Sequence, residues 1–345
     1  MNPSARHRPA RCARFVRRVA AVCLVLGWVV NLAGCGGDDR GPKGTPDGRA
    51  RNASGGAAST AAGGDSGPGG DRVPPPAFDA AAGPLVAIIV DDWGQALNGP
   101  QVVILALPQP LTFAVLPCLP RSGEIAALAT ALDLPAGTGP GEDIATTSLV
   151  PPYPATARRE IFLHLPMQPL DYPESDPGQP VLVPGMEAAE VERRLALALA
   201  SVPGARGVNN HMGSAATADS TLMSVLMRGL ARRHLRFVDS LTSPASVAFF
   251  EACRAGVPAL RNRIFLDADR WSEEAITANL ATLVAAARAQ GGAVGIAHPY
   301  VATAEVLARE LPRYEAEGVR FVTVSELMAH QKATAAGAKE VANGR

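Results

Sequence analysis

Asp91 and Asp92 stand side by side at the end of the apolar run LVAIIV, and His164, His211 and His298 fall at or just past the ends of other apolar runs. These side-chain types suit hydrolysis assisted by a metal ion. Two imidazoles and one carboxylate are a common ligand set for a catalytic divalent cation, with room left for water. The cation lowers the pKa of that water toward neutrality and polarises a carbonyl. A second carboxylate can accept the water's proton, and a further histidine can protonate the leaving group. Each residue also has a plainer role open to it. The acid pair suits a helix N-cap, His211 a polar turn beside Asn209, Asn210 and Gly213, and His164 and His298 a satisfied place in a core. The argument for chemistry is coincidence, since four such positions at one end of the strands exceed what capping and packing require. Asp239 and Asp267 also close apolar runs, where acids more often support a neighbouring ligand than react. His234 follows Arg232-Arg233 at a helix end, where a cation suits the helix dipole.

The elements that must position these residues alternate. Apolar runs at 85–90, 111–116, 160–165, 205–209, 235–238, 264–266, 293–297 and 320–324 are expected to be buried strands. Helical spacing separates most of them, longest over 272–290, where Ile276, Leu280, Leu283, Val284 and Ala287 share a face. This alternation predicts an α/β fold with a mainly parallel sheet. In a (β/α) barrel the C-terminal strand ends converge on one active face, and residues 84–331, 248 in number, match a typical barrel of about 250. An open doubly wound sheet would place a Gly-rich phosphate turn after its first strand. Asp-Asp-Trp-Gly stands there instead, so a barrel or distorted barrel is expected. Two Pro-rich stretches, 133–157 and 167–184, are expected as long loops, the second walling one side of the cleft.

The N-terminus has a different character. Six arginines and no acid precede Cys35, and an apolar run from Val19 to about Val30 leads into Leu32-Ala33-Gly34-Cys35. A basic start, a short apolar stretch and small residues before a cut form a secretory signal. The run is shorter than the roughly 20 residues of a spanning helix. Leu-Ala-Gly-Cys resembles a bacterial lipobox, so residues 1–35 are expected to be a lipoprotein signal with Cys35 lipidated. Gly36 after the cysteine favours outer-membrane sorting over retention at the inner membrane, the domain facing the periplasm. Residues 36–83 contain 13 Gly and 6 Pro among 48 and only one aromatic, Phe78, too little apolar surface to offset the entropy of ordering. They are expected to be a tether, with 84–331 the folded domain and 332–345 a flexible tail.

The 345-residue chain carries 32 basic and 32 acidic groups, a balance that argues against nucleic-acid binding. Removing the signal leaves 26 basic and 32 acidic groups, and residues 84–331 carry 18 and 25. A mildly acidic domain suits a divalent cation and a neutral sugar better than a polyanion. Five cysteines are too few for a disulfide scaffold, and nothing in the sequence shows that Cys118 and Cys253 meet.

Five segments together carry a family resemblance: Val-Asp-Asp-Trp-Gly (90–94), Leu-His-Leu-Pro-Met-Gln-Pro (163–169), Gly-Val-Asn-Asn-His-Met-Gly-Ser (207–214), Phe-Val-Asp-Ser (237–240) and Ile-Ala-His-Pro (296–299). In this order they resemble the divergent polysaccharide deacetylases, relatives of the NodB-type carbohydrate esterases. The resemblance implies an irregular (β/α) barrel of about seven parallel strands and a divalent metal ion, Zn2+ in the first instance. It implies Asp91 as catalytic base, Asp92 as metal-binding acid and His298 as general acid. NodB-type enzymes take both metal histidines from one His-x-x-x-His segment, which this chain lacks; His164 and His211, from different strands, are proposed in their place. The Arg-x-Pro-Tyr motif is also missing, with Arg261 or Arg263 the candidates to stand in. Asn209, Asn210, Asp239 and Asp267 are expected to support the site. The expected function is a lipid-anchored, metal-dependent hydrolase that removes N-acetyl groups from an envelope polysaccharide or peptidoglycan-like glycan. The alternative is an inactive protein of the same fold that binds glycan or an envelope partner through the same cleft.

Overall fold

A computed structural model describes residues 83–132 and 158–342. The expected signal, the lipobox at Cys35, residues 36–82 of the tether and the whole 133–157 loop lie outside the described residues. The strands are β1 (Leu85–Trp93), β2 (Leu111–Val115), β3 (Arg159–Met167), β4 (Gly207–Met212), β5 (Arg236–Asp239), β6 (Ala259–Arg261), β7 (Gly292–Ala297) and β8 (Arg320–Val322). The helices are α1 (Gly99–Leu105), α2 (Ser122–Leu132), α3 (Ala188–Ser201), α4 (Ser220–Arg232), α5 (Ala248–Arg254), α6 (Glu273–Gln290), α7 (Val301–Ala316) and α8 (Val324–Ala342).

Seven strands run parallel in the order β6-β5-β4-β3-β2-β1-β7, and β8 adds to the start of β1. The gap between β6 and β7 is nearly closed by residues 263–266. There Arg263 N–H donates to Val294 O at 2.9 Å and Leu266 N–H to Ile296 O at 2.7 Å, while Ile296 N–H donates to Ile264 O at 3.0 Å. The architecture is therefore a NodB-like (β/α) barrel. The run 264–266 corrects the strand assignment: the strand is Ala259–Arg261, and Ile264–Leu266 only bridges to β7 through Phe265 and Ile296. α8 also continues through 332–342, a stretch expected as a tail.

The barrel has two apolar cores, and side-chain alternation along each strand assigns residues to one or the other. On β1, Val86, Ile88 and Val90 pack outward against the helices, whereas Leu85, Ala87 and Ile89 face the interior. Phe162 of β3, Val238 of β5, and Val294 and Ile296 of β7 share that interior. Both faces being buried explains why the strands are continuous apolar runs. The start of α8 closes the lower end, with Val324, Leu327 and Met328 in the inner core. Its first N–H groups are met from within the barrel: Val324 N–H donates to Thr112 Oγ1 at 3.1 Å and Ser325 N–H to Glu160 Oε2 at 3.2 Å. Gly207 is required at the start of β4 because a Cβ there would drive into the Phe162 ring. Among the described residues no helix is long and apolar enough to cross a membrane.

Candidate active site

The same alternation places the chemistry. Counting in twos from the inner core, Ile89 is followed by Asp91, Phe162 by His164, Gly207 by Asn209 and His211, Val238 by Ser240, and Ile296 by His298. All six polar residues therefore cap the interior at the C-terminal ends of their strands. Register reinforces this, since His164 lies opposite Asn209 and Pro166 opposite His211 across β3 and β4.

Asp92 breaks the alternation and would point outward on a regular strand. Val90 opposes Phe113 and Trp93 opposes Val115, so Asp91 and Asp92 together face the one residue between. This is a β-bulge, and Asp92 sits in it at φ 61°, a left-handed conformation that aspartate tolerates better than most residues. The bulge turns the Asp92 carboxylate back to the same side as Asp91.

Asp92, His164 and His211 form the one group of three or more metal-ligating side chains among the described residues. Asp92 Oδ1 lies 3.4 Å from His164 Nε2 and 3.3 Å from His211 Nδ1, and the two ring nitrogens are 3.0 Å apart. Ligand atoms about 2.0–2.1 Å from a tetrahedral ion are roughly 3.3 Å from one another, so the spacing fits. Asp92 Oδ1 is buried and has no hydrogen-bond partner among the described residues, leaving a lone pair for a cation. Three protein ligands of this kind would hold one divalent ion and leave a fourth position open. Burial opposes the Asp92 charge, but the adjoining imidazoles override it and hold the carboxyl far below the usual carboxylate range.

Asp91 is buried beside this group. Its Oδ2 lies 3.5 Å from His164 Nε2, and its Oδ1 accepts a hydrogen bond from Asn209 Nδ2 at 2.8 Å. Burial raises its pKa, an effect only partly offset by His164 and His298. Burial lowers that of His164, but the charges of Asp91 and Asp92 reverse the effect and raise it. A carboxylate shifted upward is better matched to accepting a proton near neutral pH.

His298 is held by Asp267. The carboxylate accepts from His298 Nδ1 at 2.8 Å and from the His298 backbone N–H at 2.6 Å, and Thr303 Oγ1 donates to it at 2.9 Å. Nε2 is left without a partner among the described residues. Burial lowers the pKa of the imidazole, but Asp267, with help from Asp91 and Asp92, pushes it up to about 9. A shift in this direction keeps the imidazole protonated at neutral pH.

Other expected residues take other places. Asn209 bridges Asp91 and His164, its Oδ1 lying 2.9 Å from His164 Nδ1. The Asn210 amide oxygen accepts from Ser240 N–H at 2.9 Å, which fixes the start of the β5 loop. Asp239 has the outward parity of its strand and touches none of the three ligands. It accepts from Ser246 Oγ at 2.8 Å and Leu241 N–H at 2.9 Å, and lies 3.8 Å from Arg261 Nε. Arg261 is thus paired with Asp239, and its guanidinium lies over the Phe249 and Phe250 rings at 5.1 and 5.0 Å. Ser240 was not expected from sequence; one hydroxyl after an acid carries no signal until the inward face of β5 is known. Cys118 and Cys253 are both free.

Beside the site, the His298 ring is 5.6 Å from that of Tyr300, and the Arg270 guanidinium lies 5.5 Å from Tyr300 and 4.9 Å from Trp271. Trp271 is 81% exposed. A groove of about 810 Å³ between α6 and α7, lined by Trp271, Glu273, Thr277, Arg309 and Tyr314 among others, contains none of the candidate site residues.

Fold and site together define a NodB-like barrel whose strand ends carry an acid pair, two candidate metal histidines and a carboxylate-held histidine. The model of the divergent polysaccharide deacetylase family matches residues 154–328, and the chain belongs to that family. An uncharacterised protein of Haemophilus influenzae Rd is 34% identical over 250 residues, covering 72% of this chain and 78% of its own. The uncharacterised Escherichia coli K12 protein YibQ is 33% identical over 222 residues, 64% of this chain and 60% of its own length. The match to YibQ thus spans about three-fifths of that relative. The crystal structure of an uncharacterised protein from Agrobacterium tumefaciens C58 superposes with a TM-score of 0.57 at 25% identity, covering 73% of this chain and 92% of that one.

Proposed function

We propose that the protein is an envelope-located, metal-dependent hydrolase that removes N-acetyl groups from a polysaccharide or peptidoglycan-like glycan. The observation that carries this reading is the joint placement of three converging ligand atoms, an adjacent buried carboxylate and a protonated histidine at one end of the barrel. A divalent ion, Zn2+ in the first instance, would be held by Asp92, His164 and His211 and would supply Lewis acidity toward the acetamide carbonyl and the attacking water. Asp91 takes the proton from that water as its oxygen bonds to the carbonyl carbon. His298 gives its proton to the sugar nitrogen as the C–N bond breaks. Acetate and a free amine result, and the two residues exchange their protons with solvent before the next turnover.

The test is acetate release from N-acetylated glycans, with and without chelator. Expected is release that the chelator abolishes and Zn2+ restores, and that Asp91→Asn reduces by roughly 10²–10⁴-fold, the range for one acid–base group. No release by wild type, or equal release by the variant, overturns the mechanism. An empty ion site in purified protein that still binds glycan would favour the non-catalytic reading.

The envelope location rests on the Arg-rich start, short apolar run and Leu-Ala-Gly-Cys sequence. Mass spectrometry of the mature N-terminus should find a lipid-modified Cys35; an unmodified or uncleaved terminus would overturn lipid anchoring.

A further inference from the structure

We infer that Asn209 is a positioning residue that fixes which ring nitrogen of His164 carries hydrogen, and that a main-chain carbonyl dictates the choice. The inference rests on the reading of Asp92, His164 and His211 as a metal centre. Ser240 Oγ lies 2.9 Å from the Asn210 carbonyl oxygen, which can only accept, so the hydroxyl must donate there. Its lone pair then faces Asn209, 3.4 Å away, and requires an N–H from that side chain. Asp91 Oδ1, 2.8 Å from the same amide nitrogen, makes the same demand when ionised. Both constraints turn the Asn209 amide group toward Ser240 and Asp91 and its oxygen toward His164 Nδ1, at 2.9 Å.

An amide oxygen accepts only, so His164 Nδ1 carries the hydrogen. The neutral ring then has its lone pair on Nε2, the atom 3.4 Å from Asp92 Oδ1 and 3.0 Å from His211 Nδ1. His164 is thereby set to ligate through Nε2 before any ion arrives. Asn209 is fully buried, so water cannot substitute for its contacts. The same amide also holds Asp91, so one side chain sets the orientation of a candidate ligand and of the candidate base.

Two measurements on the whole chain test this. Ring 15N chemical shifts of metal-free protein, at a pH where His164 is neutral, should show hydrogen on Nδ1; hydrogen on Nε2 overturns the inference. Zn2+ affinity by chelator competition should fall about 10–100-fold in Asn209→Leu, the usual effect of losing a ligand's hydrogen-bond partner. In Asn209→Asp, which keeps an acceptor facing Nδ1 but loses the N–H toward Asp91, it should fall clearly less than in Asn209→Leu. Equal Zn2+ loss in both folded variants would mean a merely structural role and overturn the inference, as would wild-type affinity in Asn209→Leu. Should Asn209→Leu not fold, the ring shifts and Asn209→Asp decide. Failure of wild type to bind Zn2+ would sink the metal reading, while the ring shifts still decide the role of Asn209.

Discussion

At the scale of single residues, the proposed function divides the site into a candidate ligand trio and a candidate acid–base pair, each with its own experimental signature. His211→Ala removes one of three converging ligand atoms and should lower Zn2+ affinity more than the roughly 10–100-fold typical of a supporting residue. Chelator competition checks this, and unchanged affinity would remove His211 from the set. His298 gives a pH signature. Its folded-state pKa is raised to about 9 from an ordinary value of about 6.5. Activity that needs the imidazolium should therefore fall as pH rises through about 9. The same shift contributes stability fully present below about 6.5 and lost as pH climbs through 9. Asp267→Asn removes the charge that holds the proton, so the alkaline limb of the rate profile should move down by about 1 unit or more. An unmoved limb would show that another group sets it. Most of these residues could be found in the sequence because a polar residue after an apolar run marks a strand end. Asp239 met the same criterion but carries the outward parity, and nothing in Phe-Val-Asp-Ser says which edge of β5 is the inner one.

At the scale of elements, β1 departs most from regular geometry, and the departure is where Asp92 is made useful. The bulge costs conformational energy, since a non-glycine residue is held at φ 61°. Asp92→Gly should relieve that strain but remove the carboxylate that two imidazoles hold ionised, so metal-free protein should lose stability at neutral pH while Zn2+ binding is abolished. Thermal unfolding checks this, and a raised midpoint would show that backbone strain outweighs the imidazole contacts. Gly207→Ala should destabilise by about 1–3 kcal/mol as its methyl group forces the Phe162 ring aside. The bulge was not visible in Val-Asp-Asp-Trp-Gly because it arises from pairing with β2 rather than from local preference. Ile-Phe-Leu at 264–266 misled for a related reason. Its apolar residues bridge to β7, while the actual strand, Ala-Leu-Arg, is only half-buried and has little apolar pattern.

At the scale of the molecule, alternation of strands and helices was enough to anticipate the barrel, whereas its closure was not. Residues 263–266 nearly close it using backbone hydrogen bonds, which no side-chain pattern announces. The active face also has a rim. Trp271, largely exposed and joined through Arg270 and Tyr300 to the neighbourhood of His298, would on the proposed function offer an aromatic ring to a bound sugar. Trp271→Ala should raise KM for an oligosaccharide several-fold with kcat little changed; a fall in kcat at constant KM would assign the residue to the reaction instead.

The arithmetic of inward and outward side chains has a consequence for how such a protein changes over generations. Inserting or deleting a single codon low in β3 or β4 would exchange that strand's reactive edge for its oily one and lose His164 or His211 at a stroke. Changes of two codons would leave the edge intact and merely shift its height. Length variation within these strands should therefore survive in even steps, while the loops between them drift freely.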